Sequence, residues 1–463
     1  MKTKNAWKSY TSEADIQSFS EGYRSFLDMS KTERECVRES IRIARESGFV
    51  SLEEKVTSGA PLCPGDRVYI CTMNKALALY VIGEQPMEKG MNILGAHIDS
   101  PRIDIKQNPL YEDTELVYLD THYYGGIKKY QWVALPLALH GVVVLKTGKT
   151  IELSIGEDPT DPVLCITDLL PHLAADQMKR ESSKIIEGED LNILLGSRPE
   201  NEGEEQEAAL RQVLRLLKTR YGIEEEDFIS AELEVVPAGQ SRDAGLDRSM
   251  ILGYGHDDRS CAYPSLKALC DLQRAPVYTA CTLLVDKEEI GSTGATGMES
   301  RFFENATAEV LAALGSCSDL VLRRCLSASR MLSSDVSAGF DPLFASAFEK
   351  KNSAYLGHGV CFNKYTGSRG KSHSNDANAE FVAQIRRIME DGQVTFQTAE
   401  LGRVDQGGGG TIAFMCARYG MQVIDCGIPV LSMHAPWETI SKVDLYEAYK
   451  AYRVFLKDAA PVT

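Results

Sequence analysis

Two kinds of hydrophobic pattern alternate along the first hundred residues. Residues 12–48 read as two helices separated near Met29–Lys31. The second carries Cys36, Ile41, Ile43 and Ala44 on one stripe and stops at Gly48. From Arg67 to Ile105 the pattern shortens to apolar, β-branched runs, RVYICTM, LALYVIG and MNILGAHI, divided by polar or glycine breaks. Residues 106–240 read as a β-rich unit. LVYLDTHYYGG, WVALPLALHGVVVLKTG and KTIELSIGE are strand-like with hairpin breaks at glycine, and a helix around Ala208–Tyr221 closes the segment. After Arg242, SMILGYG, VYTACTLLVD, RMLSSDV and MQVIDCGIPVLS are near-continuous apolar runs, as strands covered on both faces require. Helical stretches at Ser260–Leu272 and Ser374–Asp391 lie between them. A last one, Ser441–Leu456, puts Leu445, Tyr449, Tyr452 and Leu456 on one stripe. The expected fold is α/β: a mixed sheet flanked by helices, built from residues 1–105 and 241–463 and interrupted by the β-rich insertion 106–240.

Composition narrows the partners. The 463 residues suggest two or three domains. A net charge of −16, from 50 basic and 66 acidic residues, argues against nucleic acid, whose phosphates need a basic surface. Much of the excess lies in an acidic stretch near 198–207 and in IEEED shortly after, read as a solvated loop. The twelve cysteines, Cys317 among them, form no C-x-x-C pair, so neither a zinc ribbon nor a thioredoxin-type site is expected. Reduced thiols fit a cytoplasmic protein. No apolar run is long enough to span a bilayer, and MKTKNAWKSYTSEAD lacks the apolar core of a secretory signal, so no membrane partner is expected.

Five segments place ionisable groups where an apolar run ends, the place ligands gather in open α/β sheets. GAHIDSPR carries His97 and Asp99, one able to bind a metal and the other to orient the imidazole. GYGHDDRS carries His256, Asp257 and Asp258, and adjacent carboxylates are best tolerated beside a cation. In DKEEIGSTGATG the neighbouring Glu288 and Glu289 can divide labour, one binding metal and one taking a proton from the attacking water. SSDVSAGFDP carries Asp335, and VLSMHAPWE carries His434 with Glu438 four residues later. Singly each has an ordinary reading as a core histidine, a helix N-cap or an acidic turn. Together they supply imidazole and carboxylate for two divalent ions per subunit, a donor set that suits zinc, with cobalt or manganese able to substitute.

These segments, with DQGGGGT (Asp405–Thr411) and HYYGG (His122–Gly126), resemble the aspartyl aminopeptidase family of dinuclear metallopeptidases, bacterial branch, over almost the whole chain. The resemblance implies a zinc-exopeptidase-like catalytic domain that removes N-terminal residues, Asp or Glu for preference, from peptides. It implies that His97 and His434 each bind one metal, that Asp257 bridges the two, and that Glu289 and Asp335 ligate one each. Glu288 would be the general base and Asp99 the residue orienting His97. It further implies that the β-rich insertion is a dimerisation domain, and that dimers of the chain assemble into a tetrahedral dodecamer.

Two runs depart from the eukaryotic pattern. Asp176 stands after Pro171–Ala174 where a histidine reaching a neighbouring subunit is expected, leaving His122 or His172 as replacements. KYTGSRGKSHSNDAN also differs; its Lys364, Arg369 and Lys371 could pair with an acidic substrate side chain or form an ordinary basic loop. The rival readings are a carboxypeptidase or deacylase with the same metal site, and a non-catalytic shell or cargo-binding protein.

Overall fold

The computed structural model describes residues 4–200, 206–316 and 318–461. Cys317 and the middle of the expected acidic loop, 201–205, lie outside the described residues. The chain forms two compact units, Met1–Asp99 with Ser241–Met433 and Glu438–Thr463, and Ser100–Gln240 with His434–Trp437. Among the described residues the strands make three sheets of nine, six and five strands. With helices flanking the sheets, this is the expected mixed α/β class.

The nine-stranded sheet belongs to the first unit. At its centre Ala280–Val285, Asn92–His97, Arg330–Ser333 and Gln422–Gly427 lie side by side and parallel. Antiparallel neighbours, Ala76–Val81 on one side and Val360–Asn363 on the other, make the sheet mixed. Side chains alternate across a strand, so each apolar run feeds two cores. Leu77, Leu79, Leu94, Ala96, Leu332 and Ile424 enter one. Ala78, Tyr80, Ile93, Leu283, Met331 and Val423 enter the other.

Helices cover both faces. Ala14–Asp28, Glu33–Glu46, His256–Cys270, Ala379–Asp391 and Lys442–Asp458 bury residues in the first core. Phe302–Ala313 and Asp319–Ser327 bury theirs in the second. Thr32 starts Glu33–Glu46 with a reciprocal cap: its hydroxyl takes the Glu35 N–H while the Glu35 carboxylate takes the Thr32 N–H.

The five-stranded sheet, also in the first unit, holds Met250–Gly253, which alternates between half-buried and buried positions. The expectation of a strand covered on both faces is corrected there. The six-stranded antiparallel sheet makes up the second unit with helix Ala208–Tyr221. Its longest strand, Arg102–Asp113, was not foreseen. Its pairing with Leu116–Tyr124 shifts between Ile105 and Leu110, where Lys106-Gln107-Asn108-Pro109 breaks the alternation.

Among the described residues no helix is long and apolar enough to cross a membrane. Eleven described cysteines are free.

Asp425, in strand Gln422–Gly427, gives a stability prediction. Burial pushes its carboxyl up to about 6, against the Thr411 hydroxyl, which donates to it at 2.6 Å and favours the charged form. The folded protein therefore holds this proton more tightly than the unfolded chain between about pH 4 and 6. The contribution is full below that window and is lost as pH rises through it. Asp425→Asn should remove about 2 kcal/mol of this pH dependence between pH 4.5 and 7.5, read by urea denaturation, since pH 4.5 already lies inside the window.

Candidate metal centre

Three adjacent parallel strands bring the chemistry together. Neighbouring strands lie about 4.8 Å apart, so the residues that follow their carboxyl ends converge. Strand Asn92–His97 ends on His97, level with Val285 of Ala280–Val285. Glu288 and Glu289 follow that second strand, and Asp335 follows Arg330–Ser333. Asp257 and Asp258 lie in the first turn of His256–Cys270, shortly after strand Met250–Gly253, and both leave helical backbone angles there.

Two clusters result, each with donor atoms within 4.8 Å of one another: His97, Asp257 and Glu289; and His97, Asp258 and Asp335. His97 is common to both. Its Nε2 lies 3.0 Å from Asp257 Oδ1, and its Nδ1 lies 3.0 Å from the Asp99 main-chain oxygen. The Asp99 carboxylate is 3.4 Å from Nδ1 and is engaged elsewhere. It takes the N–H of Glu288 on Oδ1 at 3.1 Å and of Glu289 on Oδ2 at 3.2 Å. Asp99 thus holds the imidazole through its main chain and the Glu288–Glu289 turn through its side chain.

The electrostatics call for cations. Burial pushes the Asp258 carboxyl well above its ordinary range, the charges of Asp257 and Glu288 push it further, and His97 opposes them. Asp335 is raised by burial and then by Asp258. Burial alone would lower the His97 pKa, but hydrogen bonds to Asp257 and Asp99 outweigh it and raise it well above the usual value. Both Asp258 oxygens are buried and, among the described residues, accept no hydrogen bond of ordinary geometry. Acids crowded in this way around one imidazole are costly unless positive charge compensates them. Imidazole and carboxylate donors fit a pair of divalent ions.

Of the expected ligands, His97, Asp257, Glu289 and Asp335 fall in the clusters. His434 belongs to the second unit, where Nδ1 lies 3.0 Å from the Gly126 main-chain oxygen, and it joins neither cluster. His122 and His172 are exposed, His122 holding the Tyr123 carbonyl through Nδ1. Lys364 and Lys371 both pair with Asp376, at 3.5 and 3.0 Å, and Lys371 lies over the Tyr365 ring. Arg369 is exposed on the same loop.

Asp258, named beside Asp257 but not chosen as a ligand from the sequence, also falls in a cluster, and Arg259 is a buried residue at the site that sequence reasoning passed over. The buried Arg259 guanidinium donates to the carbonyls of Ile98 and Lys31, securing the turn between His97 and Asp99. An arginine inside a run as apolar as the one after GHDD is the signal that could have marked it.

Ligand-bearing turns at the ends of adjacent parallel strands, with a second carboxylate beside one ligand, define a metal-dependent hydrolase. Residues 26–456 match the aminopeptidase I zinc metalloprotease (M18) family, and the chain belongs to that family. It is a metallo-aminopeptidase with two sites able to hold metal. It is 55% identical over 457 residues to a probable M18 family aminopeptidase 1 of Clostridium acetobutylicum, covering 98% of each chain. The crystal structure of an M18 aminopeptidase from Thermotoga maritima superposes with a TM-score of 0.95 at 44% identity, covering 99% of this chain and 100% of that one. The fold extends to the S. cerevisiae mApe1 dodecamer structure, at TM-score 0.76 and 19% identity over 96% and 97% of the two chains.

Proposed function

We propose that this chain removes single residues from the free N-termini of peptides using two zinc ions, held by His97, Asp257, Glu289, Asp335 and His434. The observation that carries the reading is the pair of donor clusters sharing His97, with Glu288 fixed beside Glu289. Bound ions would supply Lewis acidity, polarising the scissile carbonyl and making water acidic enough to attack at neutral pH. Glu288 would take the proton from the attacking water and return it to the leaving amine. Its backbone is tied to Asp99, so base and ligand keep one spacing through the cycle.

We infer that uncharged N-terminal residues are released in preference to Asp and Glu. Two of the three cations that would read an acidic side chain, Lys364 and Lys371, already share Asp376, with which such a substrate must compete. A panel of peptides beginning with Leu, Ala, Lys, Asp or Glu tests this. Faster release of Leu and Ala is expected. Selective release of Asp and Glu would restore the aspartyl aminopeptidase specificity.

We further propose that the second unit dimerises and that dimers build a dodecamer; the S. cerevisiae mApe1 structure is a dodecamer. The segment 163–178 exposes Val163, Leu169, Leu170, Leu173 and Met178, the last two at 68% and 70%, a run of exposed apolar side chains suited to an interaction surface. Light scattering coupled to size exclusion should give a twelve-fold mass, reduced by Leu173→Asp with Met178→Asp; a monomer at micromolar concentration would refute the assembly.

A further inference from the structure

We propose that Glu438 is a positioning residue for the metal centre, holding the Asp257 main chain so that the Asp257 carboxylate faces His97. The inference rests on the two-metal reading above. Glu438 is 1% exposed and opens strand Glu438–Ser441, which pairs it with Gly253 just before the ligand turn. Its Oε2 accepts the Asp257 N–H at 3.0 Å. Asp257 has non-helical angles (φ −79°, ψ 106°), so its N–H lies outside the regular helical ladder and is held by a carboxylate from another strand. Asp257 in turn presents Oδ1 to His97 Nε2 at 3.0 Å.

The preceding residue is held independently. His256 Nε2 faces the Ile251 carbonyl at 3.2 Å and so carries its proton there; Nδ1 therefore accepts from the Tyr23 hydroxyl at 2.7 Å. Both imidazole nitrogens are committed, which removes His256 from the ligands and makes it a fixed post for the turn. Glu438 and His256 thus clamp consecutive residues, 257 and 256, from two sides. Partners that orient metal ligands in this way typically change metal affinity by about 10–100-fold when removed.

The test compares wild type with Glu438→Ala, Glu438→Asp and Glu438→Gln, each stripped by chelator and titrated with cobalt(II). Bound metal is counted, the visible cobalt spectrum is recorded, and thermal unfolding of the stripped proteins reports the fold. Wild type should take two ions per chain. Glu438→Ala and Glu438→Asp, folded without metal, should lose about 10–100-fold in affinity for at least one ion and show an altered spectrum. Glu438→Gln, which keeps an oxygen acceptor at the same reach, should restore both. If the alanine variant does not fold, the aspartate variant decides. Wild-type affinity and spectrum in the folded variants would overturn the proposal; a wild type that takes no cobalt would overturn the two-metal reading on which it rests.

Discussion

Glu288→Gln should lower kcat by about 10²–10⁴-fold while KM and bound metal stay near wild type. Glutamine has the shape of glutamate but cannot take a proton from water or return it to the leaving amine. The substitution leaves the backbone contacts that place the turn, Glu288 N–H on Asp99 Oδ1 and Glu289 N–H on Oδ2, so the Glu289 ligand is undisturbed. The loss belongs to the proton transfer alone. Steady-state kinetics with metal analysis of the same preparation separates the two. A fall in metal content matching the fall in kcat would assign Glu288 to metal binding instead.

His97→Ala should abolish activity and release one ion, because Nδ1 faces the Asp99 main-chain oxygen and only Nε2 is left for a metal. His97 stands within reach of both clusters but has one nitrogen to give, whereas Glu289 and Asp335 each belong to one cluster. Glu289→Gln and Asp335→Asn should therefore weaken one ion each and leave the other measurable. Without His97 the remaining carboxylates face one another with no imidazole between them, and burial and mutual repulsion favour their protonated forms. Metal counting on the three variants checks this; retention of two ions at wild-type affinity by His97→Ala would refute its role as a ligand.

Much of this was legible because the central strands are buried on both faces, which writes them as unbroken apolar runs ending in a charged residue. His97 and the Glu288–Glu289 pair stand out for that reason. Arg102–Asp113 was not legible, since its polar Lys106–Asn108 run and Pro109 look like a loop and only pairing across the bulge makes them strand. The helix expected from Ser374 begins at Ala379 instead. Ser374 takes the Thr366 N–H on its hydroxyl at 2.8 Å and so belongs to the preceding loop.

In the site, spacing could not divide Asp257 from Asp258. Which carboxylate faces which partner depends on the angles of a turn, and both residues enter a cluster. Nor could it show that the Asp99 side chain serves the Glu288–Glu289 backbone more closely than the imidazole, a contact between residues 189 and 190 positions apart.

The most direct measurement is a zinc titration of the chelator-stripped protein, following release of the first residue from a Leu-initiated peptide and from its N-acetylated twin. Hydrolysis of the free peptide should rise to a plateau at two ions per chain, with the acetylated peptide left intact. Cleavage of the acetylated peptide, release from the C-terminus, or full activity without metal would contradict the metallo-aminopeptidase reading.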